Sequence, residues 1–224
     1  MQTLIFSDTH LLPFFDQKKA DFLIKLIQAA DRVIINGDFW DGDLWSFEAF
    51  VKSPWQQLFP VLKSKETIYI YGNHDKMSKA DSRVNLFSDQ QDMEIRLTYG
   101  KRTFIITHGH QYDLTFHQWF KSPLGKLLVH NKLFLYGLML GEEILMRCWD
   151  KRISQKKLRW INEEIKIQME SKTQPDTWLV CGHTHSAELD LKNQFVNSGF
   201  IRAGFGQYLT INDVGFIELH EAHY

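Results

Sequence analysis

The chain predicts an α/β fold (α+β in some schemes), a sheet covered on both faces and interrupted by a block of helices. Three observations predict it. Short apolar runs alternate with helix-period segments from Met1 to about His110. Those runs are apolar without a polar alternation, as strands buried on both faces are. Strand signals then stop between about 111 and 172 and resume at Thr177.

The elements follow in order. TLIFS, residues 3–7, is the first strand. Residues 16–30 carry Phe22, Leu23, Leu26 and Ile27 at helical spacing, with Asp16 placed to cap the helix. RVIIN is the next strand. Residues 47–62 form a second helical stretch, interrupted at Pro54. TIYIY and TFIIT are further strands. Leu124, Leu127, Leu128, Phe134, Leu135, Leu138, Met139 and Leu145 fit one or two amphipathic helices, and Leu158, Ile161, Ile165 and Met169 fit another. After the strand TWLVC, the runs QFVNSGF, QYLTIND and GFIELH read as antiparallel strands joined by turns. The expectation is a single domain, 1–224, with a helical insertion at about 111–172.

Composition narrows the function classes. The net charge is -1 and 44% of the residues are hydrophobic, ordinary for a globular protein. Without a basic surplus nothing calls for nucleic acid as a partner. The two cysteines, Cys148 and Cys181, are too few for a disulfide framework, and no signal-peptide pattern opens the chain. A reducing cytoplasm is the expected compartment. No apolar stretch approaches the ~20 residues that span a bilayer.

Five of the apolar runs end in Asp, Asn or His. They run into Asp8-Thr9-His10, Gly37-Asp38-Phe39-Trp40-Asp41, Gly72-Asn73-His74-Asp75, His108-Gly109-His110 and Gly182-His183-Thr184-His185. Taken alone, each reads as a turn, a surface polar group or, for Asp41, a helix cap. Together they describe strand ends converging on one place. Burying so many carboxylates and imidazoles without a cation would be costly. Asp8 and His10, two apart, project to one face of an extended strand end. Asp38 follows a glycine that can turn tightly, and its carboxylate can bridge two cations. Asn73 offers a neutral oxygen; His108, His183 and His185 offer nitrogens. This thiolate-free set suits Mn, Fe, Zn or Co, and is too rich in imidazole for Ca or Mg alone. Seven ligands exceed one tetrahedral ion and fit two ions roughly 3.5–4 Å apart, which can clamp a phosphoryl group and an attacking hydroxide.

The ordered set DTH, GDFWD, GNHD, HGH and GHTH resembles that of the calcineurin-like metallophosphoesterase superfamily. The likeness covers residues 1–110 and about 177–199, where Asn197-Ser198-Gly199 resembles the family's late Asn-x-Gly turn. It implies a four-layer αββα sandwich and hydrolysis of a phosphoester by metal-bound hydroxide. It implies one metal on Asp8, His10, Asp38 and His185 and another on Asp38, Asn73, His108 and His183, with Asp38 bridging. Two divalent transition-metal ions are expected, manganese first, with iron, zinc or cobalt as alternatives. The likeness also implies His74 as the acid facing the leaving group, oriented by Asp41. Independently, an imidazole beside two cations tends to lose its proton, and a carboxylate partner restores it. The bland role for His74 is a hydrogen bond to a phosphate oxygen. His110 either supports a ligand or phosphate from behind or is a loop histidine.

Within the superfamily, the bacterial UDP-2,3-diacylglucosamine pyrophosphatases of lipid A synthesis resemble this chain in size and in the place of the insertion. That branch commonly carries Arg where this chain keeps His74, which favours a related phosphoesterase of unassigned substrate, with a pyrophosphatase of that type acting at the membrane surface as the alternative. A nuclease and a non-enzymatic binding module on the same fold are the other classes. Between His117 and Trp160, nine basic residues stand against three acidic ones, among many apolar ones. That mixture suits a lid over the cleft, a phosphorylated small-molecule or lipid-linked substrate, and weak peripheral contact with an anionic inner membrane face.

Overall fold

The computed structural model describes residues 1–113, 137, 141, 144, 151–169, 174 and 176–224, with 151–158 as helical backbone. Most of the expected insertion, including the helices expected over 124–145 and much of the basic stretch, lies outside the described residues. Among the described residues the strands form two sheets. In the seven-stranded sheet, β1 (Gln2–Phe6), β2 (Arg32–Asn36), β3 (Ile68–Ile70) and β4 (Gln90–Asp92) are parallel neighbours. The second sheet has five strands. Its order is β5 (Glu94–Tyr99), β6 (Arg102–Thr107), β7 (Thr177–Cys181), β9 (Phe195–Asn197) and β8 (Glu188–Asp190). Here β6, β7 and β9 run parallel, and the outer pairs are antiparallel. The large sheet is completed by β10 (Ile201–Arg202), β11 (Phe205–Asn212) and β12 (Ile217–His223); β11 pairs antiparallel with both of these and with β1.

The period-2 geometry of each strand divides its apolar residues between two cores. In β1, Leu4 and Phe6 face one core and Ile5 the other; in β2, Val33 and Ile35 oppose Ile34. In the second sheet Phe104, Ile106, Trp178 and Val180 join Ile5 and Ile34 in a core between the sheets, while Ile105, Leu179 and Cys181 face outward. The outer face of the large sheet packs on α1 (Gln17–Ala29), α2 (Phe47–Val51) and α3 (Phe59–Lys63). The outer face of the small sheet packs on α4 (Lys151–Met169) through Ile161, Ile165 and Met169. Helix, sheet, sheet and helix make the four layers of an αββα sandwich. Each fully buried Leu, Ile or Phe contributes ~1.5–3 kcal/mol of transfer free energy to these contacts.

Local chemistry explains most boundaries. The Asp16 side chain accepts a hydrogen bond from Lys19 N at 3.1 Å and caps α1, as its sequence predicts. The stretch 47–62 is three pieces rather than one helix. Ser46 caps α2, Ser53 and Pro54 open a 3₁₀ turn over Pro54–Leu58, and Pro60 sits at the start of α3. A proline lacks the donor that would continue the preceding turn. The run QFVNSGF also differs from its reading as a purely antiparallel strand: β9 is antiparallel to β8 but parallel to β7. Two indoles anchor the loop after β1, Trp45 Nε1 donating to Leu11 O and Trp55 Nε1 to Leu12 O.

Candidate metal centre

Parallel strands β1, β2 and β3 end at the same edge of their sheet, and β6 and β7 end at the facing edge of the other. Ligands of open α/β sheets gather at such carboxyl ends. Hydrogen bonds zip the loops together there. Asp8 N donates to Gly37 O, His10 N to Asp38 O and Leu11 N to Phe39 O, at 2.9–3.1 Å. The two sheets are joined by Asn36 Nδ2 to Thr107 O at 3.0 Å and by His183 N to the Asp8 carboxylate at 2.9 Å.

Asp8 and His10 converge, but not by strand alternation. β1 ends at Phe6, and Asp8 and His10 have φ of 53° and 41°. The left-handed region is uncommon for residues with a Cβ. Asp38, His183 and His185 share it, at 52°, 68° and 53°. Each such residue costs on the order of 1–3 kcal/mol, and such strain clusters at functional sites. The glycines before the polar residues serve close approach. A Cβ on Gly72 would overlap the Asp38 carboxylate, and one on Gly37, at φ 85°, the His108 ring.

The structure brings together most of the residues singled out in the sequence. His185 Nε2 lies 3.2 Å from Asp8 Oδ1 and 3.2 Å from His10 Nε2. Asp38 Oδ2 stands between His108 Nε2 at 3.2 Å and His10 Nε2 at 3.8 Å. Asn73 Oδ1 is 3.2 Å from His108 Nε2. His108 Nδ1 donates to Asn36 O at 2.8 Å, which fixes the tautomer and turns Nε2 toward the cluster. His183 differs. Its Nε2 meets Asp113 Oδ2 at 3.0 Å, leaving Nδ1 as its available nitrogen. Asp41 and His74 are adjacent as expected, but Asp41 is shared. Its Oδ2 lies 3.4 Å from His10 Nδ1 and its Oδ1 3.5 Å from His74 Nδ1. The nearer carboxylate to His74 is Asp43, at 3.1 Å, an ion-pair contact outside hydrogen-bond alignment. His110 lies in a 3₁₀ turn with its ring 5.5 Å from that of His108, and its enclosed Nδ1 has no hydrogen-bond partner.

Burial and charge set the protonation states. Burial raises the Asp8 carboxyl, but His108 and His185 outweigh it and hold it at about 2. Burial opposes ionisation of Asp38 too, and His108 and His74 hold it well below the usual range. Burial pushes His10 down to about 4 and His110 to about 3. Burial disfavours charge on His108, yet Asp38 and Asp8 lift it to about 9. His74 is likewise raised well above 6.5, its burial outweighed by Asp38 and Asp41. Protons on imidazoles thus balance the buried carboxylates, and a divalent cation could replace them. The donor set fits such a cation on a second count. Asp8 Oδ1 is buried and accepts no hydrogen bond, although histidine nitrogens surround it at 3.2, 3.9 and 4.0 Å. Three overlapping groups, Asp8–His10–His185, Asp8–Asp38–His108 and His10–Asp41–His74, each place their donor atoms within 4.8 Å of one another.

Several supporting residues have no role in the sequence reading. Asp75 accepts from Gly72 N, Asp38 N, Phe39 N and the Tyr69 hydroxyl at 2.6–3.1 Å, so it ties the loops after β2 and β3 together. Burial and the Asp38 charge push its carboxyl up to about 6. Its place directly after Asn73-His74 is the signal that marks it. Asp43 and Asp113 carry none, being two acids among many.

A family model for the calcineurin-like phosphoesterase superfamily domain matches residues 1–137. No curated protein sequence matches the chain. Among solved structures it is similar to the phosphoesterase YfcE of E. coli, at 13% identity, TM-score 0.52, and coverage of 100% of this chain and 99% of that one. It is similar also to a novel archaeal phosphodiesterase, at 14% identity, TM-score 0.51, and coverage of 99% and 100%. A Vps29 single mutant from Entamoeba histolytica follows at 14% identity, TM-score 0.49, and coverage of 100% and 99%. Identities this low speak for the fold alone, and the family rests on the model that matches more than half the chain. With its strand-end clusters gathered at one edge of an αββα sandwich, this chain belongs to the calcineurin-like phosphoesterase superfamily.

Proposed function

We propose that the protein hydrolyses a phosphoester at a centre of two divalent transition-metal ions. Asp8, His10, Asp38 and His185 would hold one ion, and Asp38, Asn73, His108 and His183 the other. The observation that carries this reading is the Asp8 carboxylate, buried with an orphaned oxygen among histidine nitrogens and flanked by Asp38. Ions bound there supply Lewis acidity toward phosphoryl oxygens and activate water at neutral pH.

The chain's own groups do the rest. Asp38 Oδ2 lies between His10 Nε2 and His108 Nε2, one imidazole of each proposed set, which supports reading it as the shared ligand. Asp41 orients His10 and His74 from behind, and with Nδ1 of His74 turned to carboxylates, its Nε2 is the atom that gives a proton to a leaving oxygen. The His74 side chain is 27% exposed, more open than those of His10, His108, His183 and His185, so a substrate can reach it.

The test is a hydrolysis screen with added Mn²⁺, over phosphomonoesters, phosphodiesters and nucleotide-sugar pyrophosphates, alongside elemental analysis. Two metals per chain and turnover of at least one class are expected. Asp38→Asn should lose most of the metal and nearly all turnover. One metal or none in the reconstituted wild type would sink the dinuclear reading.

A further inference from the structure

Among the described side chains of α4, Asn162 is a polar one buried beside Ile161, Ile165 and Met169. Asn162 is wholly buried. Its amide uses every hydrogen-bonding position it has, two donors and two lone pairs. Nδ2 donates to Ser186 O at 3.0 Å and to Glu188 Oε2 at 2.8 Å. Oδ1 accepts from Thr184 Oγ1 at 2.7 Å and from Asn197 Nδ2 at 3.1 Å.

Three of those partners, Thr184, Ser186 and Asn197, belong to or grip the turn that carries His183 and His185, and the fourth, Glu188, opens β8. Thr184 lies between the two histidines and Ser186 follows them. Asn197 Nδ2 also lies 2.7 Å from Gly182 O and 3.0 Å from Thr184 Oγ1, its two hydrogens shared among these acceptors and Asn162 Oδ1, so it closes the turn from the other side. The histidines flanking Thr184 have left-handed backbones. A turn strained on both sides of one residue needs an external hold, and Thr184 is where it is held. The helix giving that hold is itself fixed to β8, with Lys166 Nζ 2.8 Å from Glu188 and 2.8 Å from Asp190.

We propose that Asn162 is a positioning residue for the metal centre. Through Thr184 it holds the backbone turn that aims His183 and His185, and so makes cation retention depend on α4, a helix on the outer face of the second sheet. This rests on the metal-centre reading above. It predicts that a residue touching no cation controls cation affinity. Losing such an outer partner typically weakens metal binding by roughly 10–100-fold.

The experiment titrates Mn²⁺ into metal-stripped protein and follows free Mn²⁺ by its electron paramagnetic resonance signal. The proteins are wild type, Asn162→Leu, Asn162→Asp, Thr184→Val, Thr184→Ser and the double variant Asn162→Leu/Thr184→Val. Circular dichroism of the metal-free forms monitors folding. Asn162→Leu and Thr184→Val should each weaken Mn²⁺ by roughly 10–100-fold, and the double variant should be no weaker than the worse single, because both cut one link. Thr184→Ser keeps the hydroxyl and should bind like wild type. If Asn162→Leu does not fold, the isosteric Asn162→Asp and Thr184→Val decide the matter. Folded Asn162→Leu (or Asn162→Asp in its place) and Thr184→Val with wild-type affinity, or additive losses in the double variant, overturn the proposal alone. Wild type that binds no Mn²⁺ overturns the metal-centre reading and this proposal with it.

Discussion

Asp41 sits between two histidines to which the proposed function gives different tasks. One oxygen faces His10 Nδ1, the other His74 Nδ1. Replacing His74 and replacing Asp41 should therefore separate. His74→Asn removes the proposed proton donor but none of the proposed ligands, so metal content should hold. Turnover of substrates with poor leaving groups should fall by roughly 10²–10⁴-fold, the usual worth of a positioned acid. With nitrophenolate, which departs without a proton, the loss should shrink. An equal loss across leaving groups would make His74 a binding residue. Asp41→Asn also releases His10, so there both metal content and turnover should drop.

At the scale of elements, α4 presents two faces of opposite consequence. Ile165 is fully buried against the outer face of β6 and β7, whereas Ile167, two residues on, is 70% exposed. Truncating Ile165 leaves a cavity in the outer core, and Ile165→Ala should cost roughly 2–5 kcal/mol in urea denaturation. Ile167→Ala, on the solvent side, should stay within about 0.5 kcal/mol. Equal effects would mean that α4 does not dock on the sheet by this face. Polar loops show a different logic. The residues after β1, β2 and β7 accept backbone strain; Asp75 holds the loop after β2, and Asn162 and Asn197 the one after β7, with buried hydrogen bonds.

For the whole molecule, charge balance at the centre links folding to pH and metal. Without a cation, His108 carries a proton up to about pH 9, against 6.5 when unperturbed, and His74 is raised in the same sense. A raised histidine contributes its stabilisation fully below the unfolded value and loses it as pH rises through the folded one. Metal-free protein should therefore lose thermal stability between pH 6.5 and about 9. A bound cation would take the place of the His108 proton, so metal-loaded protein should be more stable throughout, with a gap that widens over the same interval. Melting curves with Mn²⁺ or with chelator across that interval check this, and a constant gap would contradict it. Among the described residues no helix is long and apolar enough to cross a membrane.

The sequence alone determined what local rules can decide. Uninterrupted apolar runs marked the strands β1, β2, β3, β6 and β7, and the polar clusters after them marked the strand ends, because burial on both faces and strand termination are each written within a few adjacent residues. Asp16 announced its cap for the same reason. Pro54 signalled a break, though not the 3₁₀ turn and second start that follow it. What only the tertiary structure decided was pairing through space. Asp8 meets His185, 177 positions away, and His183 meets Asp113, 70 positions away. Which nitrogen each imidazole presents depends on the backbone carbonyl or carboxylate behind it, as Asn36 does for His108. That Asp41 is shared, that Asp43 lies nearer His74 and that Asn162 anchors the last histidine turn follow from two sheets closing on each other. A polar residue on a helix face has no local pattern that names its partner, so those contacts exist only once the layers are stacked.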